Sequence, residues 1–358
     1  MTDYTALRGW SDHDARPALA AFQQSCARIL SLADEAPVAR TSAFAGQAQD
    51  WRPACAAAAL IHAQASAAAE ARGFFETWFT PARLGGQGRL TGYYEPFVEV
   101  RDAPDAEFSM AIRAAPTLQP QAETSGGLTA LIGSIEHPQP RWTPGRERAP
   151  TRAEIERYGI GAPLAWGRPI DVFFLQIQGS GRLHYPDGRE ARAAFAAHNG
   201  HGYVSIGRIL LDRGELRPGQ ASKQDIQAWL RARGPQAWTE LFNENPRYVF
   251  FRLAPVTDPH LGPLGAEGVP LTPMGSMAVD PQHQAWGAPI FVEANLPGAP
   301  NWSGLVVAQD AGGAITGPVR GDLFYGWGPE AGDRAGRQND PGARWTVLLP
   351  RSIAARLS

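Results

Sequence analysis

Three carboxylates late in the chain offer the plainest chemistry. Asp280 closes GSMAVD before Pro281, Asp310 closes GLVVAQD before Ala311-Gly312-Gly313, and Asp322 opens DLFYGWG after Arg320-Gly321. Each sits at the edge of a short strand-like run. Alternate side chains of a strand share a face, which groups Asp310 with Ala308 and Val306, and Asp322 with Phe324. An aspartate beside Phe324, Tyr325 and Trp327 is poorly solvated, which raises its pKa and keeps it protonated near neutral pH. Glycoside cleavage needs such a general acid. The competing reading is that aspartates at strand ends beside Gly or Pro are turn formers.

Other catalytic patterns are missing. The sequence holds no GxxxxGK[ST], no GxSxG, no HExxH and no CxxC, so it offers no phosphate loop, nucleophile elbow or zinc signature. His198 and His201, in AHNGHGY, sit among turn residues, and a metal there would need two more ligands in register. No metal and no cofactor is expected.

The elements that must hold these groups follow from periodicity. Residues 15–34 read as a helix, with Leu19, Phe22, Cys26, Ile29 and Leu30 at spacings of three and four. Residues 53–80 read as a second helix starting at Pro53, with Phe74, Phe75, Trp78 and Phe79 as a core stripe. From Gly88, GRLTGYYEPFVEVR reads as a strand. Residues 102–165 are rich in Pro, Gly and charge, with short pieces at Ser109–Ile112 and Arg152–Tyr158. The apolar run over 170–177 predicts a strand that turns at Gln178-Gly179-Ser180-Gly181 into a hairpin partner, Arg182–Tyr185. Helices are expected over 203–212 and 222–232, the latter capped by Ser222, and a strand over Arg247–Leu253. After residue 255 come five short strands, Gly275–Val279, Pro289–Glu293, Leu305–Gln309, Asp322–Tyr325 and Trp345–Leu349, punctuated as in a small barrel. The fold class is α+β, mainly β.

These segments carry a family resemblance. LTPMGSMAVDP, GAPIFVE and GLVVAQDAGGAITGPVRGDLFYGWGPEAGDRAGR together resemble the three-aspartate domain of the membrane-bound lytic murein transglycosylase A family. Upstream, LTGYYEP, DVFFLQIQGSGRL and NPRYVFFR look like other segments of the same family, in the same order. The resemblance covers the chain from about residue 10.

It implies a double-psi β-barrel domain, with N-terminal helices, over residues 1–97 and 245–358. A smaller β-rich domain over 98–244 would be inserted into it and form the other wall of a glycan groove. The implied activity is that of a peptidoglycan exotransglycosylase, although end and interior cutting are not separable from sequence. The β-1,4 bond from N-acetylmuramic acid to N-acetylglucosamine would break as the muramyl 6-hydroxyl attacks its own C1, leaving a 1,6-anhydro product. By analogy Asp322 takes the acid–base role, with Asp310 as its neighbour or as a stabiliser of the transition state, and Asp280 as support. Tyr93, Tyr94, Glu95, Gln176, Gln178, Gly179, Ser180, Gly275 and Ser276 are the candidates for glycan contact. Two alternatives stay open: an endoglucanase-like hydrolase on the same barrel, with Asp310 activating water, and a non-catalytic glycan-binding protein.

Composition agrees with an enzyme of this type. The chain has 358 residues, 44% hydrophobic and 19% charged, which is globular and suits about two domains. A net charge of −2 argues against nucleic acid as a partner. The N-terminus, MTDYTALRGWSDHD, lacks the basic start and apolar core of an export signal. Many family members carry such a signal and a lipidated cysteine. A periplasmic monomer with peripheral outer-membrane association is nevertheless expected. Cys26 and Cys55 read as two buried thiols in a cytoplasmic protein, or as one bridge in an exported one.

Overall fold

The computed structural model describes residues 1–39, 45–62, 67–116 and 149–357. Three helices open the chain: α1 (Arg16–Ser31), α2 (Ala48–Ala58) and α3 (Ala68–Trp78). Strands β1 (Phe79–Arg83), β2 (Gly88–Glu95), β3 (Phe97–Arg101) and β4 (Met110–Arg113) follow, then α4 (Arg152–Tyr158), β5 (Pro163–Gly167) and α5 (Pro169–Gln178). The chain continues through β6 (Gly181–His184), β7 (Glu190–His198), α6 (Ile206–Asp212), α7 (Lys223–Arg233), α8 (Pro235–Asn243) and β8 (Val249–Ala254). It ends with β9 (Ser276–Val279), β10 (Pro289–Leu296), β11 (Ala299–Asp310), β12 (Arg320–Trp327), α9 (Gly328–Arg337), β13 (Asn339–Pro350) and α10 (Arg351–Leu357).

Two compact units result, one of residues 1–94 and 260–358, the other of residues 95–259. The chain leaves the inserted unit later than residue 245, because β8 pairs along β7 from Val249 to Ala254.

In the first unit six strands close a barrel in the order β13-β10-β11-β9-β12-β2, with β2 returning to β13 and β1 lying outside on β13. This is the expected double-psi barrel class, and all five late strands are present. Closure leaves no barrel edge unpaired. β13 manages it by a register shift between Asp340 and Ala343: its first half pairs with β2 and its second with β1. Helix α1 buries Leu19, Phe22, Cys26 and Ile29 on one stripe, and Phe75 and Phe79 pack edge-on or tilted around Phe22. The aromatic stripe predicted as core is therefore core. The single helix expected over 53–80 is two helices, and Pro53 falls inside α2 rather than at its start. Helices α9 and α10 were not anticipated.

The second unit carries a six-stranded sheet in the order β4-β5-β3-β6-β7-β8. The run DVFFLQIQ is helix α5, not a strand. Its boundaries explain why: Pro169 stands at the first helical position and Gly179 closes the helix in the left-handed region at φ 81°. Burial of Val172, Phe173, Phe174 and Leu175 makes the helix apolar nearly all round, which removes the amphipathic signal. Arg182 and its neighbours still form a strand, β6, but its partners are β7 and, in parallel, β3. Ser222 caps α7, accepting the N–H of Asp225 at 3.2 Å.

Candidate active site

The three central barrel strands align two of the aspartates. β9 runs parallel to β11, and a register irregularity between Ala308 and Asp310 sets Asp310 opposite Ala278. On its other side β9 is antiparallel to β12, with Asp322 opposite the same Ala278. Residues in register across a sheet share a face, so the two carboxylates flank one small side chain, their Cα atoms about 10 Å apart by strand spacing. Met277 and Leu323, one residue along, belong instead to the main core.

Strand β2 supplies a donor to each. Thr91 donates its hydroxyl to Asp322 Oδ1 at 2.6 Å, and Tyr93 donates its phenol to Asp310 Oδ2 at 2.8 Å. Two residues apart, they share a face of β2. Arg320, two residues before Asp322, donates from Nη1 to Thr91 Oγ1 at 2.8 Å, so the threonine hydroxyl can offer its proton only to the aspartate.

The two carboxyls differ in their support. Asp310 accepts three hydrogen bonds, from Tyr93 and, on Oδ1, from the backbone N–H of Ala266 and of Ala311, each at 2.9 Å. Asp322 accepts one, from Thr91. Both sit against an apolar cluster of Tyr93, Leu271, Ala278, Ile315 and Phe324, with Trp327 beside it. That desolvation pushes both carboxyls up. In Asp310 the three donors oppose it. Asp322 is pushed up to about 6, chiefly by desolvation and further by Asp310, against the pull of Thr91 and Arg320. Like charges this near one another oppose ionisation of both together, and Asp310 adds to the upward push on Asp322. The expected aromatic shielding comes from Phe324, whereas Tyr325 faces the main core and donates to Gln338 Oε1 at 3.0 Å.

Asp280 is elsewhere in the same unit. Its carboxylate accepts Gln282 N–H at 2.9 Å and Gly317 N–H at 2.7 Å, which tethers the loop before β12. Gly275 and Ser276 are buried. A Cβ on Gly275 would meet Pro17 O at 2.2 Å. Ser276 Oγ donates to Gln309 Oε1 and accepts Thr272 N–H at 2.7 Å. As placed, Gly275 packs β9 closely on α1 and Ser276 ties it to Thr272 and Gln309. Tyr94 points into the main core against Gly332 of α9, and its neighbour Tyr93 is the one at the aspartates.

Glu95, Gln176, Gln178, Gly179 and Ser180 belong to the second unit. Glu95 is fully buried and paired with Arg182 Nε at 2.9 Å and Arg192 Nε at 2.5 Å. Gln178 and Gly179 form the half-buried end of α5, while Gln176 and Ser180 are buried. His198 Nδ1 accepts Gly200 N–H at 2.9 Å and His201 bonds to Ala149 O at 2.7 Å. Among the described residues no cluster suited to a metal ion occurs.

Sequence reasoning missed Thr91, Arg320 and the backbone donors at Ala266 and Ala311. The alternation of Thr91 and Tyr93 in LTGYYEP held a signal for one of them. Nothing local announces the approach of Ala266, a contact made 44 residues away.

Comparison with known proteins gives a consistent picture. Residues 89–252 match the family model described as the MltA specific insert domain, and residues 275–348 match the 3D domain. The chain is 33% identical over 290 residues to the membrane-bound lytic murein transglycosylase A of Vibrio cholerae, covering 76% of this chain and 69% of that protein. It is similar throughout to a crystal structure of membrane-bound lytic murein transglycosylase from Agrobacterium tumefaciens, with TM-score 0.83, 32% identity, and 100% and 99% of the two chains covered. The structure of Escherichia coli MltA with bound chitohexaose aligns at TM-score 0.67 and 26% identity, covering 96% and 91%.

Proposed function

The chain belongs to the membrane-bound lytic murein transglycosylase A family, and we propose that Asp322 is the single acid and base of its reaction on peptidoglycan. The enzyme is a peptidoglycan lytic transglycosylase. The observation that carries the assignment to Asp322 is the unequal support of two aspartates on one sheet face, three donors on Asp310 and one on Asp322.

Below about pH 6 Asp322 holds a proton within a desolvated patch and can pass it to the glycosidic oxygen as the bond to C1 breaks. It then accepts the proton of the muramyl 6-hydroxyl as that oxygen closes on C1. The nucleophile is part of the substrate, so its effective concentration is already high. No second group is needed to hold water. Asp310, kept ionised, lies one strand beyond Ala278 and stabilises positive charge developing at the sugar ring. The proton cycle returns Asp322 to its starting state.

We place the enzyme on the periplasmic side of the cell envelope, with peripheral attachment to the outer membrane. The named relatives are membrane-bound, and Cys26 and Cys55 are joined in a disulfide, a bond suited to an oxidising compartment. Among the described residues no helix is long and apolar enough to cross a membrane.

The test is digestion of purified sacculi by the wild type and by Asp322→Asn, with mass spectrometry of the soluble products. Wild type should release 1,6-anhydro-muropeptides, and the variant should be slower by about 10²–10⁴-fold, the usual loss of a general acid. Wild-type activity should fall as pH rises through about 6. Reducing-end products would mean hydrolysis, and equal anhydro products from both proteins would move the acid role to Asp310.

A further inference from the structure

Behind Asp310 lies a buried polar network that the reaction does not itself use. The segment from Gly262 to Leu271 doubles back on itself, with Gly265 N–H on Val269 O at 2.9 Å and Gly262 N–H on Leu271 O at 3.0 Å. At its tip, Ala266 turns its N–H to Asp310 Oδ1, and Glu267 turns its own N–H to Gln309 O at 3.0 Å. The Glu267 side chain points the other way, into α1, and is 6% exposed. Its Oε2 accepts Ser25 Oγ–H at 2.6 Å and its Oε1 accepts Arg28 Nε–H at 3.0 Å. Gln309 closes the circuit, donating to Ser25 Oγ at 2.8 Å and to Ala21 O at 2.7 Å.

A buried carboxylate is costly unless paired, and this one is bound to a helix rather than to the catalytic face. Its effect is to fix the tip. We propose that Glu267 is a positioning residue: anchored on α1, it holds the Ala266 N–H on Asp310 and thereby keeps Asp310 ionised and the proton on Asp322. The proposal rests on Asp322 being the acid.

The charged and titratable groups facing the pair are few among the described residues. Asp322 is faced by Arg320 on β12, Asp310 on β11 and, more distantly, Tyr93 on β2 and Tyr325 on its own strand. Asp310 is faced by Tyr93. Glu267 is faced by Arg28 from α1. Freeing the tip alters one donor on Asp310 and leaves these others in place.

The experiment reads the carboxyls directly. Protein labelled with ¹³C at the aspartate side-chain carboxyl is titrated by NMR in wild type, Glu267→Ala, Glu267→Gln and Ser25→Ala, with Asp310→Asn and Asp322→Asn assigning the signals. In Glu267→Ala the Asp310 midpoint should rise by about one unit, the effect of one lost N–H donor on a carboxylate. The Asp322 midpoint should fall as Asp310 loses charge. Ser25→Ala, a milder cut, should move both in the same directions by less. Glu267→Gln removes the charge but keeps an acceptor of the same reach, so its midpoints should stay nearer wild type. Unmoved midpoints in a folded Glu267→Ala or Ser25→Ala protein would overturn the proposal. Equal shifts in Ala and Gln would also overturn it, by making the effect one of charge rather than position. Because this titration needs no turnover, it is separate from the failure of the Asp322 assignment, which would appear as retained turnover in Asp322→Asn.

Discussion

Thr91 and Tyr93 sit two residues apart on one strand and each gives a hydrogen bond to a different aspartate. Asp310 gains two backbone donors as well, and this asymmetry opposes desolvation more at Asp310 than at Asp322. It also has a thermodynamic consequence. A carboxyl raised to about 6 in the folded protein stands above its unfolded value of about 3.9. Folding therefore favours the protonated form. That contribution is complete below about pH 4 and is lost as pH rises through about 6. Two units correspond to about 3 kcal/mol, which partial exposure of Asp322 reduces to about 1–2 kcal/mol. Asp322→Asn carries no charge and still accepts from Thr91. It should be more stable than wild type by about 1–2 kcal/mol above pH 7 and nearly equal near pH 4. Urea unfolding at both pH values measures this, and a destabilised variant at pH 7 would contradict the desolvated setting of Asp322.

Strand β9 is the element on which the site depends, because Ala278 is the common neighbour of both aspartates. Its entrance is tight. The N–H of Met274, a residue held at φ 56°, bonds to Phe324 O at 2.8 Å, and Gly275 lies against the Pro17 carbonyl of α1. Gly275→Ala would place a methyl 2.2 Å from that oxygen, closer than any non-bonded contact allows. Either β9 or α1 must shift. A loss of about 2–3 kcal/mol in unfolding free energy is expected, in the overpacking range, with reduced turnover because the Ala278 row moves. Wild-type stability and turnover together would show that the contact yields freely. The five late strands were legible because each alternates between glycine or proline breaks. Helix α5 was not, since VFFLQI is apolar over too short a span for its period to separate helix from strand. Its terminal Pro169 and Gly179 were the usable signals.

Across the whole chain, the inserted unit and the barrel were legible from the order of the segments, while the polar network of Ser25, Arg28, Glu267 and Gln309 was not. Its partners are up to 284 residues apart for the Gln309 bond to Ser25, and separation of that kind leaves no periodic trace. The cysteines stood between: their number suggested one bridge or none, and the structure joins them. The bond ties α1 to α2 one residue from Ser25, so it restrains the helix that carries the anchor of Glu267. Its thermodynamic effect is expected through the unfolded chain. A link across a separation of 29 residues removes loop entropy equivalent to about 3–4 kcal/mol. Cys26→Ala with Cys55→Ala should therefore unfold at lower urea by that amount. Reductant should produce the same loss in the wild type and none in the double variant. If the double variant matches oxidised wild type, the bridge restrains nothing that the helices do not already fix. If it loses stability while digestion of sacculi at low temperature is kept, the bond serves the survival of the fold rather than the placement of Asp310.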